Sequence, residues 1–239
     1  RAARRASAIV AVSTNVADKL IRSGARPESV HMIRNAIASA SSSTDAPAAR
    51  DRLELGAGLQ IGWIGRLSSE KGPDVMLEAM AQLADLDVTL SFIGDGPDRT
   101  ALTQRAEQLG IAQHVRFHGR VRDAASFLRA FDVVALSSRT EGTPMVVLEA
   151  MSSGVPIVAT RVGGVPDMLS SQEAMLVPSE DPTALAGVIR SALTEPAASA
   201  ERASRAHARL IAEFDTHAWL AQYETLYRSI QPAIATANR

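Results

Sequence analysis

The sequence predicts an α/β protein built on a doubly wound parallel sheet, and three observations carry that prediction. Short apolar runs rich in β-branched residues alternate with longer segments of helical period. Most of those runs are nearly continuously apolar, as strands covered on both faces are. Proline recurs where helices should begin, at Pro73, Pro97, Pro144 and Pro182. The pattern fills residues 59–195 of the 239.

Residues 1–38 read as a smaller unit. It comprises an Arg/Ala helix end, a strand over Ala8–Val12, a helix over Val16–Arg22 closed by Gly24, and a strand over Val30–Ile33. The unit is too small to bury its own apolar faces. A Ser- and Ala-rich stretch follows, and residues 39–58 read as a linker. The large domain then runs over 59–198. Its strands are expected at Leu59–Ile64, Val88–Ile93, Val115–Phe117, Val133–Leu136, Pro156–Ala159 and Ala174–Val177. Its helices are expected at Asp74–Ala84, Asp98–Leu109, Ala124–Phe131, Val146–Met151 and Pro182–Leu193. Residues 199–239 form terminal helices, in which Trp219, Tyr223 and Tyr227 make a stripe at helical spacing that suits packing on a neighbour.

Composition narrows the function. With 25 Lys and Arg against 26 Asp and Glu, the formal net charge is -1 and the basic residues are scattered, which argues against a nucleic-acid partner. There is no cysteine, so disulfides and thiolate chemistry are excluded and a reducing cytoplasm is compatible. The five histidines lack metalloprotease spacing, and no metal site is expected. No apolar run approaches the ~20 residues that span a bilayer, so no transmembrane segment is expected. Neither a P-loop, nor a Gly-x-Gly-x-x-Gly fingerprint, nor a Gly-x-Ser-x-Gly elbow occurs.

Two constellations can carry chemistry. One is Ser137 to Met151, with Glu141 and Glu149 bracketing a turn into an apolar helix. With Pro144 at its first position, the N–H groups of Met145, Val146 and Val147 would lack intrahelical partners, and the helix dipole would favour an anion there. Glu149 falls about one and a half turns into that helix, where an unmet carboxylate is costly. Either an arginine such as Arg139 or Arg161 meets it, or hydroxyl groups from outside do. Glu141 is equally either a ligand contact or a solvated loop residue.

The other constellation is Gly65 to Pro73, at the carboxyl end of the first strand of the domain. Ligands of open α/β sheets bind at such ends. Arg66 can grip a phosphate bidentately and Lys71 adds a compact charge, unless both merely pair with Glu70 at the surface. Gly94-Asp95-Gly96-Pro97 is mainly a turn signal. Gly163-Gly164-Val165-Pro166 is a tight turn or a point of close ligand approach.

These segments, in this order, resemble the C-terminal domain of the retaining GT-B glycosyltransferases of the group 1, or family-four, class. The likeness rests on Ser13, Asn35, Gly65-Arg66-Leu67 with Glu70-Lys71-Gly72, Ile93 to Pro97, Phe117 to Val121, the Glu141 to Glu149 block, and Gly163 to Pro166. It departs from the family at Ala36, where glycine is usual, and at Asp167, where glutamate is frequent.

The resemblance implies a nucleotide-diphospho-sugar donor, UDP- or GDP-linked, and transfer with retained anomeric configuration. Arg66 and Lys71 would hold the diphosphate beside Gly65, Glu141 would meet the transferred sugar, and Glu149 would take the ribose hydroxyls. Gly142, Thr143, Pro144, Met145 and Val146 would line the donor with backbone groups, and Val121 would line the base. No cofactor or metal is implied. The acceptor, lipid-linked or glycan, would belong to cell-surface assembly in the cytoplasm or at the inner membrane face. Residues 1–38 would be the last elements of an acceptor-side N-terminal domain, which this sequence otherwise lacks. A non-catalytic donor-binding subunit that needs a separate N-terminal chain is the other outcome the likeness allows.

Overall fold

The structure, a computed structural model, describes residues 6–38 and 45–237. The helix end expected at residues 1–5 and residues 39–44 of the linker lie outside the described residues. The main sheet holds six parallel strands: β3 (Leu59–Ile64), β4 (Val88–Ile93), β5 (Val115–Gly119), β6 (Val133–Leu136), β7 (Ile157–Thr160) and β8 (Met175–Val177). Their order, β5-β4-β3-β6-β7-β8, reverses direction between β3 and β6. Helices cover both faces: α3 (Pro73–Ala81), α4 (Arg99–Gln108), α5 (Met145–Ser153), α6 (Val165–Met168), α7 (Pro182–Thr194) and α8 (Pro196–Glu213).

One core cluster joins Ile61, Leu90 and Phe92 to Met76 and Met80 of α3 and Leu185 and Ile189 of α7. A second, on the opposite face, joins Val134, Leu136 and Ile157 to Val147, Leu148 and Met151 of α5 and Leu210 and Phe214 at the end of α8. Two-sided burial explains why the strands are legible as unbroken apolar runs.

The N-terminal unit is a two-stranded parallel sheet of β1 (Ile9–Ala11) and β2 (Val30–Met32), connected by α1 (Thr14–Arg22). It is tied to the large domain from several sides. Thr14 N–H donates to Asp167 Oδ2 at 2.6 Å, Thr143 Oγ1 donates to the Val12 carbonyl at 2.6 Å, and Ile37 N–H donates to the Phe214 carbonyl at 3.3 Å. Helix α9 (Thr216–Ala237) returns beside β2, and their facing residues Val30, Met32, Ala221 and Leu226 line an open cavity. Along α9, Trp219 and Tyr223 pack at 4.7 Å between ring centroids, while Tyr227 at the end of the stripe is exposed.

Four expectations change. Within the expected linker, α2 (Ala46–Arg52) is a helix, capped by Asp45 whose side chain accepts from Ala48 N–H. Ala49 and Leu53 enter the second core cluster. Residues Ala124–Ala130 form a 3₁₀ segment where an α-helix was expected. Pro97 precedes the first residue of α4 by two, because Asp98 occupies the cap. Pro144 is the residue before α5, in extended conformation at φ -68° and ψ 116°, so Met145 is the first helical residue.

Arg50 fixes α2 to the sheet: its Nε donates to the Ala130 carbonyl at 3.0 Å and its Nη2 to both Asp132 oxygens at 3.0 and 2.9 Å. Asp132 in turn accepts from Gln60 N–H at 2.7 Å, which locks the start of β3. Arg50→Ala is expected to cost about 1–2 kcal/mol, since the pair is only partly shielded from solvent. A urea titration should show a lower midpoint with an unchanged slope.

Candidate functional site

The sheet's reversal fixes where a ligand can lie. Adjacent parallel strands whose connections leave in opposite directions open a crevice at their carboxyl ends. Here those strands are β3 and β6, and the segments that follow them are Gly65–Gly72 and Ser137–Pro144. The two segments thus meet at that end of the sheet.

Between them the contacts are dense. Ser137 Oγ accepts from Trp63 Nε1 at 3.0 Å and donates to the Gly72 carbonyl at 2.6 Å. Arg139 N–H donates to the Glu70 carbonyl at 2.9 Å, and the Arg139 guanidinium forks onto Asp74 at 2.8 and 2.7 Å while pairing with Glu180. Arg139 is therefore a clamp between the β6 loop, α3 and the approach to α7. It does not reach Glu149.

Lys71 and Glu141, which the resemblance places separately on diphosphate and sugar, meet directly. Lys71 Nζ donates to both Glu141 oxygens at 2.7 and 2.8 Å, and Ser138 Oγ donates to Oε1 at 2.7 Å. The Glu141 side chain is 6% exposed and that of Lys71 31%, so the carboxylate is the enclosed partner. Glu141 is thus no solvated loop residue. Sequence reasoning missed Ser138, whose position three residues before Glu141 was the available signal.

Glu149, by contrast, stands alone. It is half-buried on α5, and among the described residues it makes no hydrogen bond or ion pair. Burial raises its carboxyl above the usual carboxylate range, and the like charge of Asp123 adds to that. Arg161, the other arginine considered for it, is exposed. At the start of the same helix, Val147 N–H donates to the Pro144 carbonyl at 3.1 Å, which removes it from the expected set of open donors. Met145 and Val146 remain without a protein acceptor among the described residues, a consequence of the helix terminus.

Arg66 is exposed and lines an open cleft of about 600 Å³ with Gly65, Asp95, Gly96, Pro97 and Arg120. Val121 and Asp123 continue from Arg120, so the loop after β5 runs from this cleft towards Glu149. The Gly163-Gly164 turn serves the protein itself. Gly163 has φ +54° and a Cβ there would lie 1.8 Å from the Glu141 carbonyl oxygen; at Gly164 it would lie 2.0 Å from that of Gly142. The close approach is that of the turn to the backbone carrying Glu141.

Among the described residues no three His, Asp or Glu side chains gather as a metal site requires, and no helix is long and apolar enough to cross a membrane.

Strand order and reversal point define an open, doubly wound α/β domain. The chain belongs to the group 1 glycosyl transferases: residues 58–195, more than half of its length, match that family. It is 34% identical over 205 residues to D-inositol 3-phosphate glycosyltransferase of Corynebacterium glutamicum (strain R), covering 79% of this chain and 48% of that protein. It is 30% identical over 157 residues to N-acetyl-alpha-D-glucosaminyl L-malate synthase of Bacillus anthracis, covering 65% of this chain and 41% of that protein. The chain thus spans about half the length of the curated relatives it matches. Its structure superposes on Anabaena Alr3699/HepE in complex with UDP and glucose with a TM-score of 0.90 at 27% identity, covering 95% of this chain and 65% of that one. The architecture is that of GT-B glycosyltransferases.

Proposed function

We propose that this chain forms the donor side of a retaining glycosyltransferase and holds a nucleotide-diphospho-sugar in the crevice between β3 and β6. The observation that carries the reading is Glu149, a half-buried carboxylate beside the reversal point of the sheet with no partner among the described residues. A vicinal diol, such as that of a ribose, supplies two O–H donors to such a group. The similarity to Alr3699/HepE, seen with UDP and with UDP-glucose, favours uridine over guanosine as the base.

In this reading Arg66 and Lys71 neutralise the diphosphate, and backbone N–H groups of Met145 and Val146 add positive potential. As the sugar–phosphate bond breaks, the leaving oxygen takes the electron pair, and the same cations stabilise the growing charge. The acceptor hydroxyl forms the new bond on the face the phosphate leaves, and its proton passes to a phosphate oxygen. Glu141 meets hydroxyls of the transferred sugar, which requires its hold on Lys71 to loosen. No metal enters this scheme, because the two cationic side chains supply the charge. Cell-surface glycan or glycolipid assembly, on the cytoplasmic side, is the proposed setting, with a lipid-linked or glycan acceptor.

Calorimetric titration with UDP-glucose, whose charge is constant over the range, tests the role of Glu149. Diol hydroxyls favour the ionised carboxylate, whereas burial and Asp123 favour the protonated one. Affinity should therefore fall as pH drops through the raised Glu149 value. Glu149→Gln should weaken binding by about 1.5–3 kcal/mol and flatten that dependence. The free protein should respond oppositely. A raised carboxyl makes the folded state bind more protons than the unfolded one, so stability is lost as pH rises through the window above the usual carboxylate range. Glu149→Gln should accordingly raise the neutral-pH Tm and leave it unchanged in acid. Equal affinity of the two proteins at neutral pH would remove the proposed role.

A further inference from the structure

The cleft beside Arg66 contains a second cation that neither the sequence nor the family assigned. Arg120, the first residue after β5, lines it from the opposite loop and is exposed. Among the described residues neither Arg66 nor Arg120 makes an ion pair or a side-chain hydrogen bond, as is also true of Arg116, Arg122 and Arg161, whereas Arg99, Arg105, Arg129, Arg139 and Arg190 of the large domain are engaged. The carboxylate lining the cleft, Asp95, accepts from Gly96 N–H at 2.9 Å and faces Arg99 Nη1 at 4.0 Å. Two guanidinium groups without an ion-pair partner among the described residues thus line one cleft, with the Asp95 carboxylate beside them and Glu70 close to Arg66. Such a pair of cations favours a phosphate between them.

The loops carrying them are fixed rather than free to drift apart. Gly94 N–H donates to the Gly119 carbonyl at 2.8 Å, Gly65 N–H to the Ile93 carbonyl at 3.0 Å, and Leu67 N–H to the Asp95 carbonyl at 3.1 Å. Gly94, at φ +136°, leaves room for the Gly65 carbonyl, which a Cβ would meet at 1.8 Å. The carboxyl ends of β3, β4 and β5 are stitched together, with one arginine projecting from the first and one from the third.

We propose that Arg120 is a second phosphate-binding side chain of this cleft, bracketing with Arg66 the diphosphate of the bound nucleotide. The proposal rests on the donor-binding reading above and adds a residue to it. Arg120 acts on affinity for the phosphates and not on recognition of the base.

The test is an NMR titration of the wild-type chain, Arg120→Ala, Arg120→Lys and Arg66→Ala with UDP and with uridine at fixed ionic strength. Thermal unfolding of each variant confirms that it is folded. Arg120→Ala should weaken UDP about tenfold, as loss of a charge-assisted contact does, and leave uridine unchanged. Arg120→Lys should recover part of the loss, and the UDP affinity of Arg120→Ala should depend less steeply on salt. Unchanged UDP affinity in Arg120→Ala, with a loss in Arg66→Ala, overturns the role of Arg120 while the donor reading stands. An equal loss for uridine and UDP makes Arg120 a base contact and also overturns the proposal. Failure of the wild-type chain to bind UDP removes the donor reading and this proposal together.

Discussion

Lys71→Ala is expected to cost about 3 kcal/mol of stability and to abolish measurable donor binding. The Glu141 carboxylate is almost enclosed, and removing Lys71, its one cationic partner among the described residues, leaves a buried charge with one hydroxyl, Ser138, to meet it. Breaking a buried pair from one side is costly for that reason. The opposite change, Glu141→Ala, leaves an ammonium that can turn to solvent, so its cost should be smaller, about 1–2 kcal/mol. The double variant should cost less than the sum of the two. A urea-denaturation cycle over the four proteins measures that coupling. Additive effects, or a larger cost for Glu141→Ala, would mean that the pair contributes little to the fold.

The second large effect concerns a residue that carries no chemistry. Gly163→Ala should destabilise the chain by roughly 3 kcal/mol, the combined scale of a left-handed non-glycine residue and of overpacking. The new Cβ would lie 1.8 Å from the Glu141 carbonyl oxygen, so the backbone that aims Glu141 must shift. Donor affinity should fall with stability, although position 163 need touch no ligand. Ala at Gly154, also at positive φ but with open space around its Cβ, is the matched control for backbone strain alone. A smaller effect at 163 than at 154 would contradict the packing argument.

These two sites also show what the sequence could and could not convey. The six strands were legible because burial on both faces leaves apolar runs such as Val133–Leu136 and Ile157–Thr160 almost uninterrupted. Arg66, Lys71, Glu141 and Glu149 stood out as charges next to such runs. That Lys71 and Glu141 touch was hidden, because 70 residues separate them and their meeting depends on β3 lying next to β6. The Gly163-Gly164 turn looked open to a ligand for the same reason: the backbone that fills the space comes from the 141–142 segment.

Local errors had local causes. Helix α2 was masked by its Ser- and Ala-rich surroundings, although Asp45 two residues before Pro47 is a helix-start signal. Pro144 was placed one residue too deep, because a proline in extended conformation at the cap leaves the same trace in sequence as one at the first helical position. Asp167, which differs from the family's frequent glutamate, anchors Thr14 N–H and so joins the N-terminal unit to α6.

The account is tested most directly by a crystal structure of this chain with UDP. It predicts ribose hydroxyls on the Glu149 carboxylate, the diphosphate against Arg66 and Lys71, and the Lys71–Glu141 contact lengthened or broken. UDP bound elsewhere, or in the crevice with Glu149 left without a partner, would contradict it.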